Sequence, residues 1–297
     1  MSDFDVAAFC AHPDDAELVM GGTLAREASR GRRVALVDLT RGECGSRGTP
    51  ETRAAEAAEA ARILGVAHRD SLGLPDARLA VTPEEKDAVV ATLRRLTPRI
   101  VLLQHWEQRH PDHAAASRIV YEASFLAGLR NYRPDLGPPF RPLKLVYALS
   151  VTEGIDVPPT FVVDITATWE TKLKAIAAFA SQFTAAPGET VALPFDRFRQ
   201  SVELAGRRQG QRIGVAFGEG FVTREPLAVD DLLALPTARS EGDCTSWREI
   251  SPGSGMPGPR SRRTARGSCA SWFERSGSPS RTSRASRECR STGRPGR

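Results

Sequence analysis

Ala11-His12-Pro13-Asp14-Asp15-Ala16-Glu17 stands between an apolar run and a segment rich in small residues. The apolar run, residues 4–10, has the length and composition of a buried strand, and residues 18–29 predict a helix. A histidine and two adjacent carboxylates therefore lie at the carboxyl end of a first strand, where open α/β sheets bind their ligands. Two neighbouring carboxylates cannot point the same way, so one acid is available as a metal ligand and the other as a base.

A second stretch of the same kind, His110-Pro111-Asp112-His113, follows the apolar run of residues 100–104. Proline suits the first position of a helix, which puts the two histidines three residues apart on one face of the first turn. An aspartate at such a place could be only a helix cap. Two strand-end loops together, however, offer His, Asp and His, and that donor set with an open fourth position is typical of a catalytic zinc site.

Strand and helix patterns alternate through the first half of the chain, which is typical of a parallel sheet. Further strands are predicted at residues 33–40, 68–72, 100–104, 143–151 and 160–165. Helices are predicted at residues 51–64, 82–96, 111–129, 169–183, 195–213 and 230–235. A Gly-rich, aromatic segment, residues 214–223, is expected to return to the site. These patterns predict one α/β domain over residues 1–236, with a Rossmann-like, mostly parallel sheet and a metal site at the carboxyl edge of its strands.

The composition changes after residue 236, where Ser, Arg, Gly and Pro dominate and hydrophobic periodicity ends. Residues 237–297 carry 13 Arg and 5 acidic residues, a net charge of +8, so residues 1–236 carry −3 of the total of +5. We predict a low-complexity, disordered tail. A frameshifted readthrough is our hypothesis for its origin, which an intact reading frame through codon 297 would exclude. The acidic balance of the remainder argues against a nucleic-acid-binding core.

Cysteine usage and the first residues indicate the compartment. The chain has five cysteines, two before the tail and three within it, without the spacing of a disulfide framework. Cys10 lies in the first predicted strand and is expected to be a small buried residue. The acidic N-terminal residues lack the apolar core of a signal peptide, and no apolar run reaches the length of a membrane span. We therefore expect a cytoplasmic protein without a membrane partner.

The two motifs carry a resemblance to a known family. Over roughly its first 235 residues, the sequence resembles the LmbE-like/PIG-L family of zinc-dependent N-deacetylases, which act on N-acetylglucosamine conjugates. The match rests on residues 12–15, on residues 110–113, and on Leu39-Thr40-Arg41-Gly42-Glu43 with Gly45, Gly48 and Arg53. The string Arg109-His110-Pro111-Asp112-His113 is most similar to the bacillithiol-pathway branch, whose substrate is N-acetylglucosaminyl malate.

The resemblance implies a role for most residues of the two motifs. His12, Asp15 and His113 would bind Zn²⁺, although such a donor set also accepts Fe²⁺ and other divalent metals. Asp14 would be the general base that takes a proton from water. His110 would stabilise the oxyanion or act as a general acid, the latter in its protonated form. The expected reaction is hydrolysis of an acetamide, which releases acetate and a free amine.

Four further residues are predicted to bind the substrate, a small N-acetylglucosamine conjugate. Arg53 and Arg109 could clamp a carboxylate through paired hydrogen bonds, which a malate group would supply. Glu43 and Asp76 lie in loops that should face the same strand ends, and they could bind sugar hydroxyls. The alternative for each residue is a solvated loop charge. The resemblance also implies assembly into a homo-oligomer.

Other functions compete with this prediction. Within the same class, the substrate could be the inositol conjugate of the mycothiol pathway, or the amide of a thiol conjugate could be cleaved. From a different class, the glycines at positions 42, 45 and 48 could cradle a phosphate in a nucleotide-binding module, although no G-x-G-x-x-G follows the first strand. A nucleic-acid-binding protein acting through the basic tail is a third alternative. Metal content distinguishes these alternatives, because the deacetylase needs bound zinc and neither of the two non-enzymes does.

Overall fold

A seven-stranded sheet forms the centre of the computed structural model, which describes residues 3–150, 157–183 and 194–231. The strands are β1 (Phe4–Cys10), β2 (Val34–Thr40), β3 (His68–Leu74), β4 (Pro98–Gln104), β5 (Lys144–Ala148), β6 (Phe161–Asp164) and β7 (Gly218–Val222). Their order across the sheet is β3-β2-β1-β4-β5-β7-β6. Strands β1 to β5 pair in parallel, whereas β7 is antiparallel to β5 and β6. The predicted α/β fold with a mostly parallel sheet is confirmed.

Seven α-helices occur within the described residues. They are α1 (Asp15–Ser29), α2 (Pro50–Leu64), α3 (Pro83–Leu96), α4 (Pro111–Ala127), α5 (Trp169–Ala177), α6 (Ala180–Phe183) and α7 (Phe195–Gln211). Side chains of α1, α2 and α5 pack on one face of the sheet, and those of α3 and α4 pack on the other. Because both faces of β1 and β2 are covered, these strands are near-continuous apolar runs rather than alternating ones.

Local sequence signals mark the start of one helix and the end of another where they were predicted. Thr82 Oγ1 accepts a hydrogen bond from Glu85 N (3.3 Å) at the start of α3, and Gly65 ends α2 with a φ of 73°. Helix α1 begins at Asp15, before the predicted start at residue 18, and carries Asp15 and Glu17 in its first turn. Acids in a first turn are favoured by the helix dipole. The single helix predicted over residues 169–183 is divided into α5 and α6.

Residues 218–222 form strand β7, which the sequence analysis did not predict. This strand lies between β5 and β6 and pairs with both, so the segment completes the sheet. Glycine is uncommon in strand interiors, and Gly218 and Gly220 therefore obscured the strand pattern. Their neighbours explain them: a Cβ on Gly218 would lie 2.6 Å from Val162 Cγ1, and one on Gly220 would lie 2.9 Å from Gln209 Cδ.

The last strand contacts the first helix through a buried ion pair. Glu219 in β7 accepts hydrogen bonds from the backbone N–H groups of Gly22 (3.0 Å) and Thr23 (2.7 Å) in the middle of α1. Lys172 in α5 donates to Glu219 Oε1 (2.6 Å) and to the Leu18 carbonyl oxygen (2.7 Å). Neither charged side chain is more than 3% exposed. The pair therefore fixes the middle of the helix whose N-terminus carries the first motif.

Several predictions concern residues beyond the described ranges. The predicted tail, residues 237–297 with its three cysteines, lies outside them, and so do residues 232–235 of the predicted last helix. The domain boundary at residue 236 thus stays a prediction. Within the described ranges, no helix has the combination of length and apolar character that crossing a membrane requires. Cys10 is buried in β1, as predicted.

Candidate active site

The two motifs lie next to each other at the carboxyl edge of the sheet. His12 follows β1, and residues 110–113 follow β4 and begin α4. Strands β1 and β4 are hydrogen-bonded neighbours, although they are distant in sequence. The chain continues from β1 towards β2 on one side and from β4 towards β5 on the other, so the two loops diverge where the strand order switches.

Asp15 joins the histidines of the two loops. Its Oδ2 lies 3.3 Å from His12 Nδ1, and its Oδ1 lies 3.1 Å from His113 Nε2. Ring nitrogens of His12, His110 and His113 lie within 4.8 Å of one another. Imidazole nitrogens and a carboxylate in this arrangement are the donors that Zn²⁺ and other first-row divalent ions accept. The residues of this site therefore fit a metal ion.

His12 and Asp15 each stabilise the charged form of the other. Burial by itself lowers the pKa of His12, but the hydrogen bond and charge of Asp15, with the charges of Asp76 and Asp14, raise it to about 9. Burial by itself raises the pKa of Asp15, but the charges and hydrogen bonds of His113 and His12 hold that pKa well below its usual range. Asp15 is therefore ionised at neutral pH, as a metal ligand must be, and a metal ion on His12 would take the place of the proton on its ring.

Two buried carboxylates contact the far side of the His12 ring. Its Nε2 lies 3.0 Å from Asp76 Oδ1 and 3.4 Å from Asp112 Oδ2. Asp76 also accepts a hydrogen bond from Cys44 N (2.7 Å), and Asp112 accepts one from Ala77 N (2.7 Å). These contacts orient the imidazole and leave its Nδ1 facing the second acid of the first motif. Asp76, predicted to bind sugar hydroxyls, thus contacts a histidine and the loop around it.

Asp14 occupies the N-cap position of α1 without capping the helix. Its side chain makes no capping hydrogen bond, and its φ of 103° lies in a region that residues other than glycine rarely adopt. The carboxylate instead accepts a hydrogen bond from Arg53 Nη2 (3.0 Å) and lines a cavity. Burial raises the pKa of Asp14 to about 7, against the opposing charge of Arg53. Backbone strain of this kind is concentrated at functional sites.

Arg53 is held by the first motif and by the glycines of the loop after β2. Its Nη2 donates to the Pro13 carbonyl oxygen as well as to Asp14, and the residue is 5% exposed. A Cβ on Gly42 would lie 2.9 Å from Arg53 Cζ, and one on Gly45 would lie 3.1 Å from Nη1. The glycines therefore make room for a guanidinium group, which accounts for them without the phosphate of the nucleotide-binding alternative.

His110 caps helix α4 with its own ring. Its Nδ1 accepts a hydrogen bond from Asp112 N (3.2 Å), so the other ring nitrogen, Nε2, is the one that can carry a proton. Burial and the charges of His113 and His12 lower the pKa of His110, which favours the neutral ring over the protonated form that a general acid needs. Arg109 beside it is exposed and is not among the described residues that line the cavity.

Glu43 connects two of the loops around the site. Its Oε1 accepts a hydrogen bond from Asp76 N (3.0 Å), and its Oε2 accepts one from Arg41 N (3.2 Å). The cavity that these loops surround has a volume of about 260 Å³. Its lining comprises His12, Asp14, Asp15, Gly42, Cys44, Gly45, Arg53, Asp76, Ala77, His110 and His113. Of the predicted site residues, Glu43 and Arg109 are the two absent from this described lining.

A buried charge cluster near the first motif was missed by the sequence analysis. Arg69 in β3 forms ion pairs with Asp38 in β2 (2.8 Å) and with Glu17 in α1 (2.6 Å). None of the three side chains is more than 8% exposed. One signal was available, because Asp38 interrupts the otherwise apolar strand β2. Its partner on a different strand could not be identified from a local pattern.

Comparisons with known proteins bear on both motifs. The family profile described as PIG-L: GlcNAc-PI de-N-acetylase matches residues 7–124. The diacetylchitobiose deacetylase of Thermococcus kodakarensis is 32% identical over 183 residues, which cover 58% of this chain and 67% of the relative. The 1D-myo-inositol 2-acetamido-2-deoxy-alpha-D-glucopyranoside deacetylase of Rhodococcus jostii is 28% identical over 250 residues, which cover 64% of this chain and 85% of the relative.

A solved structure is similar to this chain in both fold and sequence. The conserved protein TT1542 of Thermus thermophilus is similar with a TM-score of 0.69 and 39% sequence identity, and the match covers 80% of this chain and 100% of that one. The family profile spans the two strand-end loops that form the cavity. The chain therefore belongs to the PIG-L family of de-N-acetylases, and it is an amide hydrolase.

Proposed function

We propose that this chain is a zinc-dependent deacetylase that hydrolyses the acetamide of an N-acetylglucosamine conjugate with an uncharged aglycone. The observation that supports this most directly is one cavity in which the Asp14 carboxylate lies beside a donor set of two histidines and an aspartate. A nucleophile, a site for the oxyanion and an acid for the departing amine are what amide hydrolysis needs. The cavity contains side chains suited to each task.

His12, Asp15 and His113 would hold the zinc ion. Asp76 and Asp112 support this assignment, because they contact the Nε2 side of His12 and keep its Nδ1 towards Asp15. When bound, zinc supplies a Lewis acid for the acetyl carbonyl and lowers the pKa of water at the site.

Asp14 is the general base of the proposed reaction. Its Oδ2 accepts the hydrogen bond from Arg53 Nη2, which leaves Oδ1 to take the proton of the attacking water. Arg53 also donates to the Pro13 carbonyl oxygen, so its guanidinium fixes the backbone next to the base as well as the carboxylate. Arg53 is therefore a positioning residue. As the carbon–nitrogen bond breaks, the carboxylic acid of Asp14 gives the proton taken from water to the departing nitrogen, which leaves as a neutral amine.

His110 stabilises negative charge on the acetyl oxygen in this proposal. Its Nδ1 is occupied by the Asp112 backbone N–H, which leaves an Nε2–H donor on a residue that lines the cavity. A neutral imidazole can donate such a hydrogen bond without becoming protonated first. The lowered pKa of His110 suits this role better than that of a general acid.

Two observations favour an uncharged aglycone over malate, which was the first choice from the sequence. The curated relatives are named for diacetylchitobiose and for an inositol glucosaminide, and neither compound carries a carboxylate. A malate group would need a free cationic clamp, whereas Arg53 already donates to Asp14 and to Pro13. We therefore place the inositol conjugate before N-acetylglucosaminyl malate as a substrate.

Amine release from three acetamides tests the proposal with the zinc-loaded full chain. The substrates are the inositol conjugate, N,N'-diacetylchitobiose and N-acetylglucosaminyl malate, and we expect the two uncharged compounds to be hydrolysed with higher kcat/KM. Asp14→Asn should keep its zinc, measured by elemental analysis, and lose about 10²- to 10⁴-fold in kcat.

Each result decides one part of the proposal. Release from none of the substrates by folded, zinc-loaded protein would refute the deacetylase assignment. A preference for malate would overturn the choice of aglycone and retain the reaction. Near-normal turnover by Asp14→Asn would remove Asp14 as the base.

A further inference from the structure

A second cavity, of about 270 Å³, lies beside the catalytic one, because Pro13 lines the second cavity while its chain neighbours His12 and Asp14 line the first. It is bounded by α2 and by the carboxyl ends of β2 and β3. The two cavities are also adjacent along α2, because Arg53 lines the catalytic cavity and Ala54 lines the second. None of the residues that line this second cavity has been assigned a role in the reaction.

One wall of the second cavity is apolar and is made of small side chains. Ala54, Ala57 and Ala58 of α2 line it, and Ala54 and Ala58 are exposed one helical turn apart on the same face. Larger apolar side chains at these positions would fill the space. This wall offers a shallow apolar surface to a ring, but it does not by itself specify a ligand.

The floor of the cavity is polar and has hydrogen-bonding capacity left over. Arg69 donates to both oxygens of Asp38, with Nε to Oδ2 at 2.8 Å and Nη2 to Oδ1 at 3.1 Å. Each of these carboxylate oxygens retains a lone pair, and Nη2 retains one N–H. Glu17, the other carboxylate on Arg69, lies behind the floor and does not line the cavity, and its buried Oε2 has no partner in the described part of the chain. The cluster thus has two carboxylates for one guanidinium, and burial raises the pKa of Asp38 to about 6.

The charges around the cavity select the class of ligand. Arg41 and Arg69 line it together with Asp38 and Asp70, so the two signs are balanced. An anion would meet the two carboxylates, and a cation would meet the two guanidinium groups. Hydroxyl groups can donate hydrogen bonds to Asp38 and accept them from the arginines, so they suit the negative and the positive side chains of the cavity. An uncharged, polyhydroxylated ring with one apolar face matches the floor and the alanine wall together.

We infer that the second cavity binds the uncharged second ring of the substrate conjugate, a sugar or cyclitol ring, while the acetamide lies at Asp14. This inference rests on the proposed deacetylase function and adds a location for the aglycone. The two cavities lie on either side of Pro13 and of the Arg53–Ala54 step of α2, so a two-ring molecule that occupies both has to pass over this boundary. A negatively charged malate group would bind here no better than an uncharged ring, because the carboxylates of Asp38 and Asp70 line the cavity beside the arginines.

Filling the cavity with leucine tests the inference. Ala58→Leu and Ala54→Leu place a larger side chain in the space, whereas Ala55→Leu makes the same change at an exposed position of α2 that does not line it. Losing one well-made ring contact should raise KM for the inositol conjugate by about tenfold in the first two variants. KM for N-acetylglucosamine alone, for the malate conjugate, and for every substrate of Ala55→Leu should stay within about twofold of wild type.

Direct binding separates failure of this inference from failure of the proposed function. The dissociation constant of the inositol conjugate is measured by calorimetry with zinc-loaded Asp14→Asn protein, with and without Ala58→Leu. If adding Ala58→Leu to the Asp14→Asn protein weakens binding, the inference is supported, even if the wild-type chain hydrolyses none of the substrates. Unchanged KM and unchanged dissociation constant in Ala58→Leu and Ala54→Leu would overturn it, even if deacetylation is observed.

Discussion

Lys172→Met removes the positive charge from the ion pair that lies behind the first helix. In the intact protein, Lys172 Nζ lies 2.6 Å from Glu219 Oε1 and 2.7 Å from the Leu18 carbonyl oxygen. The variant leaves the Glu219 carboxylate buried, with the N–H groups of Gly22 and Thr23 and the Thr23 hydroxyl as its remaining partners among the described residues. Removing one member of a buried ion pair generally costs about 3–5 kcal/mol, because the other charge stays desolvated. We expect the free energy of unfolding to fall by that amount.

A second substitution separates the unpaired charge from lost packing. In the double variant Lys172→Met/Glu219→Gln, neither position of the pair carries a charge, and the glutamine oxygen can still accept hydrogen bonds from Gly22 N or Thr23 N. We therefore expect the double variant to be more stable than Lys172→Met by at least about 1 kcal/mol. Purely steric damage would make the two losses equal or the double loss greater.

Urea unfolding followed by circular dichroism measures these differences. Lys174→Met is the matched control, since Lys174 lies on the same helix and is exposed. Its free energy of unfolding should stay within about 0.5 kcal/mol of wild type. If Lys172→Met costs no more than Lys174→Met, the claim that this pair holds the middle of α1 is refuted.

Three further predictions concern pH, backbone space and the metal. Because the pKa of Asp38 is raised from 3.8 to about 6, the folded protein binds that proton more tightly than the unfolded chain. The free energy of unfolding should therefore fall between about pH 4 and about pH 6. Urea titrations at each pH should show that Asp38→Asn lacks about 3 kcal/mol of this fall. Parallel pH profiles of wild type and variant would contradict the raised pKa of Asp38. Gly42→Ala places a Cβ 2.9 Å from Arg53 Cζ at a φ of +68°, whereas Gly31→Ala, at +76°, meets nothing within 4 Å. Steady-state assays should show kcat reduced by about tenfold or more in Gly42→Ala and unchanged in Gly31→Ala. Equal activity of the two variants would exclude Arg53 as a positioning residue. Chelation should abolish amine release and zinc should restore it; full activity in protein shown to be metal-free would exclude metal dependence.

The fold was readable from the sequence because its signals are local. An apolar run without alternation predicted β1 with the bounds that the structure has, and Thr82 and Gly65 marked helix ends. The convergence of the two motifs also followed from a local property, since each comes directly after a strand of a parallel sheet. Sequence-distant residues at strand ends then have to share one edge.

Properties that depend on contacts across the fold were not readable. The substrate clamp predicted for Arg53 stays a prediction, whereas its partners within the chain, a backbone oxygen and a carboxylate about forty positions earlier, were not predicted. The glycines of the loop after β2 looked like a phosphate cradle, and a guanidinium occupies that space instead. Asp76 contacts His12 across 64 positions of the sequence. In each case the residue type was informative, while its partner was fixed only by the folded chain.

The contact between Glu219 and helix α1 has a consequence for the order of folding. Its hydrogen bonds to Gly22 and Thr23 join residues 197 and 196 positions apart. Closing so long a loop costs chain entropy before any contact can offset it. During synthesis, the first motif leaves the ribosome early, but the partner that fixes the middle of its helix is made almost two hundred residues later. A nascent chain that ends before β7 therefore carries the first motif and the residues of α1 without the contacts that Glu219 makes to Gly22 and Thr23.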